Sequence, residues 1–208
     1  MNLNKVYSEF QKLLNQKCSE EELHQYIKNH SYLISDLGYG VKLIFSKPVF
    51  GSNFKADFAL VGWGNYYCWT FIEIEKSTDK LFTQEGLLSQ ALNRAIKQIN
   101  SWWIWLYDYG EYAKSEFFDL SGDKTAVIII GRRDSMSKNE VKMLQLLNAT
   151  QLSGKLKIVT YDALLDNIEQ CSDKDLDSLN SKHEKMTRFN NTKEWDDYQS
   201  KIFKNNSR

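Results

Sequence analysis

The sequence predicts a mixed α/β domain, and three observations carry that prediction. The first 37 residues show apolar positions at helical spacing. From Val41 to Ser77 the apolar period drops to two, in three closely spaced segments. Beyond that, helical stretches alternate with short continuous apolar runs. That order is the pattern of a sheet covered by helices.

Residues 3–37 read as helical. Val6, Phe10, Leu13 and Leu14 recur at helix spacing, as do Leu23, Tyr26, Ile27, Leu33 and Ile34. Cys18-Ser19-Glu20-Glu21-Glu22 marks a break, with Ser19 as N-cap and Glu22 three residues on, as in a capping box. Gly38 and Gly40 stop the helical stretch. KLIFSKPVF is a strand interrupted by Pro48, the only proline. ADFALVGW (56–63) and YYCWTFIEIEKS (66–77) are the next two strands, with Gly62, Gly64 and Asn65 supplying the turn. Their closeness in sequence favours an antiparallel meander. A long helix is expected from about Glu85 to about Tyr107, with Leu88, Ala91, Leu92, Ala95, Ile96, Ile99, Trp102, Trp103 and Leu106 on its apolar face. At that spacing the tryptophans 102, 103 and 105 read as core packing. TAVIIIGR (125–132) is apolar throughout, as in a strand covered on both faces. A helix over 137–149, the strand KLKIVTY (155–161) and a short helix over 162–169 complete the series.

The chain has 208 residues, 42% of them hydrophobic, which is enough for one sizeable core. The domain is expected over 1–170. Residues 171–208 turn polar and charged, and read as a partly helical or disordered tail packed loosely on the domain or on a partner. Basic and acidic residues number 27 each, so a nucleic-acid partner would need a local basic surface that the average hides. The three cysteines are far apart and form no CxxC pair, which argues against a disulfide framework or a structural zinc site. The first residues lack the apolar core of a signal peptide, and no apolar stretch reaches membrane-spanning length, so a cytoplasmic location and no membrane partner are expected.

Chemistry concentrates on three carboxylates. Glu73 and Glu75 stand at i and i+2 of one strand, on the face shared with Trp69 and Phe71, while Ile72, Ile74 and Lys76 lie on the other. If the preceding strand pairs with this one as a hairpin, Asp57 approaches the same end. Burying several carboxylates together is costly, and a divalent cation with a preference for oxygen ligands relieves that cost. Such a site suits metal-assisted phosphodiester hydrolysis. The same alternation also fits a half-exposed strand with a solvated acidic face.

The order Asp57, Glu73-x-Glu75 on a strand, then a helix carrying Gln98, resembles the PD-(D/E)xK nuclease superfamily. More narrowly, EELHQYIKNHSYLI, ADFALV, FIEIEKSTDKLFTQEG, ALNRAIKQINSWWIWL, VIIIGRRDS and IVTYDALL, in that order over roughly residues 20–168, resemble the Shedu family of bacterial anti-phage defence nucleases. The resemblance implies a restriction-endonuclease-like mixed sheet flanked by helices. It also implies Mg²⁺- or Mn²⁺-dependent cleavage of DNA.

It assigns roles residue by residue. Asp57 and Glu73 would bind the metal, the Ile74 carbonyl would add a ligand, and Gln98 would match the helix glutamine. Glu22 is a further candidate ligand beside its capping role. One position departs from the pattern: Glu75 stands where the motif has lysine. Either Glu75 helps bind metal or orient water, as glutamate does in some restriction endonucleases, or the chain keeps the fold without the chemistry. The second account makes it a module that binds nucleic acid or a phage or regulatory protein. Arg94 and Lys97 on the following helix are candidates for the missing positive charge, and Lys76, Arg132 and Arg133 for phosphate contacts. His30 reads as a surface or interface histidine. Self-association into a homo-oligomer is also implied, since both strands of a duplex must be engaged.

Overall fold

The computed structural model describes residues 3–50, 54–63, 67–110, 112–113, 120, 123–151, 154–169, 187–189 and 192–206. Two helices, α1 (Leu3–Asn15) and α2 (Glu20–Asn29), and a 3-10 helix (Ser31–Leu37) lead into the strands. The capping box is present: the Ser19 side chain accepts from the Glu22 amide, and Glu22 accepts from the Ser19 amide. Strands β1 (Val41–Ser46), β2 (Val49–Phe50), β3 (Phe54–Lys55), β4 (Phe58–Trp63) and β5 (Tyr67–Ile74) follow. β1, β4 and β5 form the expected antiparallel meander. Pro48 separates β1 from β2, which pairs with β3 in a two-stranded ribbon.

Helix α3 runs over Gln90–Asp108 and starts several residues later than expected. Gly86 adopts a left-handed φ of 78°, Phe82 and Leu88 form an isolated bridge, and Ser89 caps the helix by accepting from the Leu92 amide. Then come β6 (Asp123–Ile129), α4 (Lys138–Leu146) with a π turn at Leu147–Gln151, β7 (Leu156–Val159) and α5 (Tyr161–Glu169). β5, β6 and β7 are mutually parallel, so the main sheet is mixed.

That sheet has six strands in the order β7-β6-β5-β4-β1-β8. Its last member, β8 (Thr187–Phe189), comes from the polar C-terminal segment and pairs parallel with β1. Helix α6 (Thr192–Asn206) follows. Phe189 and Trp195 are buried and pack on Phe45, so these parts of the segment belong to the domain core. Residues 170–186 lie outside the described residues.

Side-chain alternation divides the core into two layers. Trp69, Phe71, Ala126 and Ile128 meet Leu92, Ala95, Ile99 and Trp102 of α3 on one face. Ile72, Ile74, Val127 and Ile129 meet Phe10, Leu23, Ile27, Leu164 and Ile168 of α1, α2 and α5 on the other. Gly62, expected in a turn, lies inside β4, where a Cβ would collide with the Tyr39 carbonyl. Gly64 and Asn65 are outside the described residues. Among the described residues, no helix is long and apolar enough to cross a membrane.

Candidate metal centre

The hairpin register ends with Phe58 opposite Ile72, and Asp57, one residue before β4, lies near enough to Glu73 for its charge to act on that carboxyl. The Asp57 amide donates to the Ile72 carbonyl at 3.0 Å. The Ile74 amide donates to Asp57 Oδ2 at 2.9 Å, which fixes the carboxylate against β5. The odd-numbered positions of β5 face α3. One turn of α3 from Arg94 to Gln98 rises about 6 Å, close to the roughly 6.6 Å between residues i and i+2 of a strand. Each acid then has a neighbour on α3: Arg94 Nη2 donates to Glu75 Oε2 at 2.6 Å, and Gln98 stands beside Glu73, its amide favouring the charged carboxylate while its Nε2 reaches the Lys55 carbonyl at 3.5 Å.

Glu73 is only 8% exposed, and its Oε2 has no hydrogen-bond partner. Burial, then the charge of Asp57, pushes its carboxyl up to about 9. Burial likewise raises Asp57 to about 6, against the pull of the Ile74 amide and Lys47. Glu75 is 3% exposed, and burial raises its carboxyl despite Arg94. The Glu75 amide bonds to the Ile129 carbonyl at 2.9 Å, and the buried Tyr161 hydroxyl donates to the Glu75 carbonyl at 2.7 Å. Both bonds hold the chain where β5 ends.

Residues that sequence reasoning passed over gather at Glu75, in a group that includes neither Asp57 nor Glu73. Glu20 begins α2, and its carboxylate lies with those of Glu75 and Asp79 in a group whose ligand atoms are all within 4.8 Å of one another. Asp79 is brought in by a turn, its amide donating to the Lys76 carbonyl, and Gly131, at φ 64°, passes so close that a Cβ would strike the Asp79 carbonyl. His24 is buried, with Nε2 3.2 Å from both the Asp57 carbonyl and Ser46 Oγ. Burial lowers its pKa to about 4, so the ring is neutral at pH 7. Helical spacing was the available signal for Glu20 and His24: both share the stripe of α2 that carries Leu23 and Ile27.

The remaining candidates lie elsewhere. Glu22 is exposed and occupied by its cap. Lys76 and Lys97 are exposed. Arg132 pairs with Asp162 at 2.9 Å and donates to Asn15, and Arg133 makes a two-pronged pair with Asp166 at 2.7 and 2.8 Å. These arginines brace the loop after β6 against α1 and α5. His30 stacks on Tyr26 and reaches its carbonyl. Trp102 is buried in the core, with Trp103 and Trp105 partly buried against it.

The fold and site define an α/β protein in which a mixed sheet and one long helix hold a buried, oxygen-only acidic centre. The chain belongs to the Shedu family: the family described as Shedu protein SduA, C-terminal, matches residues 17–165. That membership supports a Shedu defence-related role. No curated protein gives a significant match.

Proposed function

We propose that this domain is a metal-dependent DNA nuclease of PD-(D/E)xK type, acting in anti-phage defence with Mg²⁺ or Mn²⁺. The observation that carries the reading is the Glu73 carboxylate, buried beside Asp57 with one oxygen unpartnered. Buried polar atoms normally find partners, and an all-oxygen donor set suits a hard divalent cation. Asp57 and Glu73 would hold the ion, with the Ile74 carbonyl as a further ligand. When bound, it would polarise a phosphoryl oxygen and lower the pKa of the attacking water.

The protein supplies orientation. The Ile74 amide aims Asp57, Gln98 beside Glu73 favours its charged form, and Tyr161 holds the main chain at Glu75. Glu75 occupies the motif's lysine position and anchors Arg94 there. A positive charge is thereby restored by a residue of α3. The partners proposed are DNA and a second copy of the chain.

A second reading has an observation of its own: Glu75 is paired with Arg94, so the fold persists without the motif lysine. On that reading the domain binds nucleic acid or a phage protein without cleaving. Incubation of supercoiled and linear DNA with Mg²⁺ or Mn²⁺ separates the two. The nuclease reading expects nicking or cutting that stops with EDTA and in Glu73→Gln. Metal and DNA binding without cleavage selects the second.

A further inference from the structure

We infer that Lys47, in the turn between β1 and β2, contacts the phosphodiester backbone of the nucleic acid beside the metal centre. The inference rests on the nuclease reading and adds a substrate contact to it. Among the described residues, Lys47 alone of the non-glycines has a left-handed backbone, at φ 53°. Glycine adopts that conformation freely and a lysine does so at a cost. Strain of this kind persists where the surrounding structure enforces it, and it gathers at functional sites.

The enforcement is visible. The Lys47 amide donates to the Asp57 carbonyl at 2.8 Å, the same carbonyl that His24 reaches. Pro48 follows, and its carbonyl accepts from the Ala56 amide. The turn is therefore tied to the residues that set Asp57. An amide bond needs no particular side chain, so a glycine would serve the turn better. What the lysine adds is its charge.

That charge acts on the site. Lys47 draws the Asp57 carboxyl down and disfavours a charged His24. The groups facing it are Glu21, Asp57 and His24. Its ion-pair partner is Glu21, whose side chain is 57% exposed, against 29% for Lys47. Lys47 holds the Glu21 carboxyl down to about 2, yet that carboxylate faces solvent, so a phosphate oxygen can compete for the ammonium from the open side. Arg94, at the other side of the acidic set, is fastened instead to buried Glu75. The acids Asp57, Glu73, Glu75, Glu20 and Asp79 repel a phosphodiester. Arg94 has the more exposed side chain but a buried partner, whereas Lys47 is paired with a solvated carboxylate that a phosphate oxygen can replace.

The test uses the whole chain, a labelled DNA duplex and Ca²⁺ in place of the catalytic ion. Lys47→Gly is expected to keep or raise the melting temperature. It should weaken binding across duplex sequences alike and reduce the slope of log K against log salt by about 1. Lys47→Arg should keep the slope, and Glu21→Ala should tighten binding by releasing the lysine. A Lys47→Gly protein of unchanged affinity and slope overturns the inference, as does a Glu21→Ala protein of unchanged affinity. A wild-type chain that neither binds nor cleaves DNA overturns the nuclease reading itself, whereas wild-type binding with indifferent Lys47 variants overturns Lys47 alone.

Discussion

Glu73 holds an ionisable group where its ionised form is disfavoured, and this has a measurable sign. A carboxyl with a higher pKa in the folded chain than in the unfolded one costs stability as it ionises. For Glu73 the penalty is absent below its ordinary 4.5 and grows as pH rises toward about 9. Asp57 adds a smaller penalty between 3.8 and about 6. His24, held neutral, works the other way between about 4 and 6.5, so in EDTA the melting temperature should fall most clearly above about pH 6.5, and Glu73→Gln should flatten that fall. Mn²⁺ should raise the melting temperature more at pH 8 than at pH 5. A scanning-fluorimetry series over pH checks this, and a wild-type melting temperature that climbs from about pH 6.5 to 9 in EDTA contradicts it. Gln98→Ala, which removes the amide that favours the charged form of Glu73, should lower Mn²⁺ affinity by about 10–100-fold, the usual cost of losing a residue that supports a metal ligand. Strand parity made the shared face of Glu73 and Glu75 readable, because alternation fixes which residues share a face, and the hairpin brings Asp57 to the same end. Lys47 and Asp79 sit in turns, where no period exists to read. Glu20 was readable in principle, but the cap formed by Glu22 was the stronger local pattern.

Elements place these residues, and their ends decide how well. Ser19 and Ser137 each close a capping box, so Ser19→Ala and Ser137→Ala should each cost about 1 kcal/mol in urea unfolding. Only the first lies beside an acid of the site, Glu20, so only Ser19→Ala should also alter Mn²⁺ binding. The match between one turn of α3 and two residues of β5 explains why Arg94 and Gln98 stand beside successive acids. Arg94→Ala should therefore lower the cleavage rate, and Arg94→Lys should recover part of it. The apolar stripe of α3 was plain in the sequence, but its start was not. Leu88 extends the stripe beyond the helix, and only the left-handed Gly86 and the Ser89 cap show that the chain turns there.

The whole molecule closes through a strand that local patterns did not reveal. Thr187–Phe189 is three residues long, and its partner β1 lies near the other end of the sequence. Neither periodicity nor turn chemistry reports a pairing of that range. Phe189, Trp195 and Phe45 nevertheless form a packed aromatic cluster over the edge of the sheet. Trp195→Ala should cost about 3–5 kcal/mol by chemical denaturation. Removal of β8 and α6 should leave β1 as an open edge that aggregates. The order of the central elements was legible because each is long or strongly patterned, and the meander joins neighbours in sequence.

The account turns on Asp57 and Glu73 sharing a divalent cation. Isothermal titration of Mn²⁺ into the metal-free chain at pH 8 tests this most directly, alongside Asp57→Asn and Glu73→Gln. A saturable site is expected in the wild type, lost in both variants while each stays folded. Equal Mn²⁺ binding in all three proteins, or none in any, would contradict it.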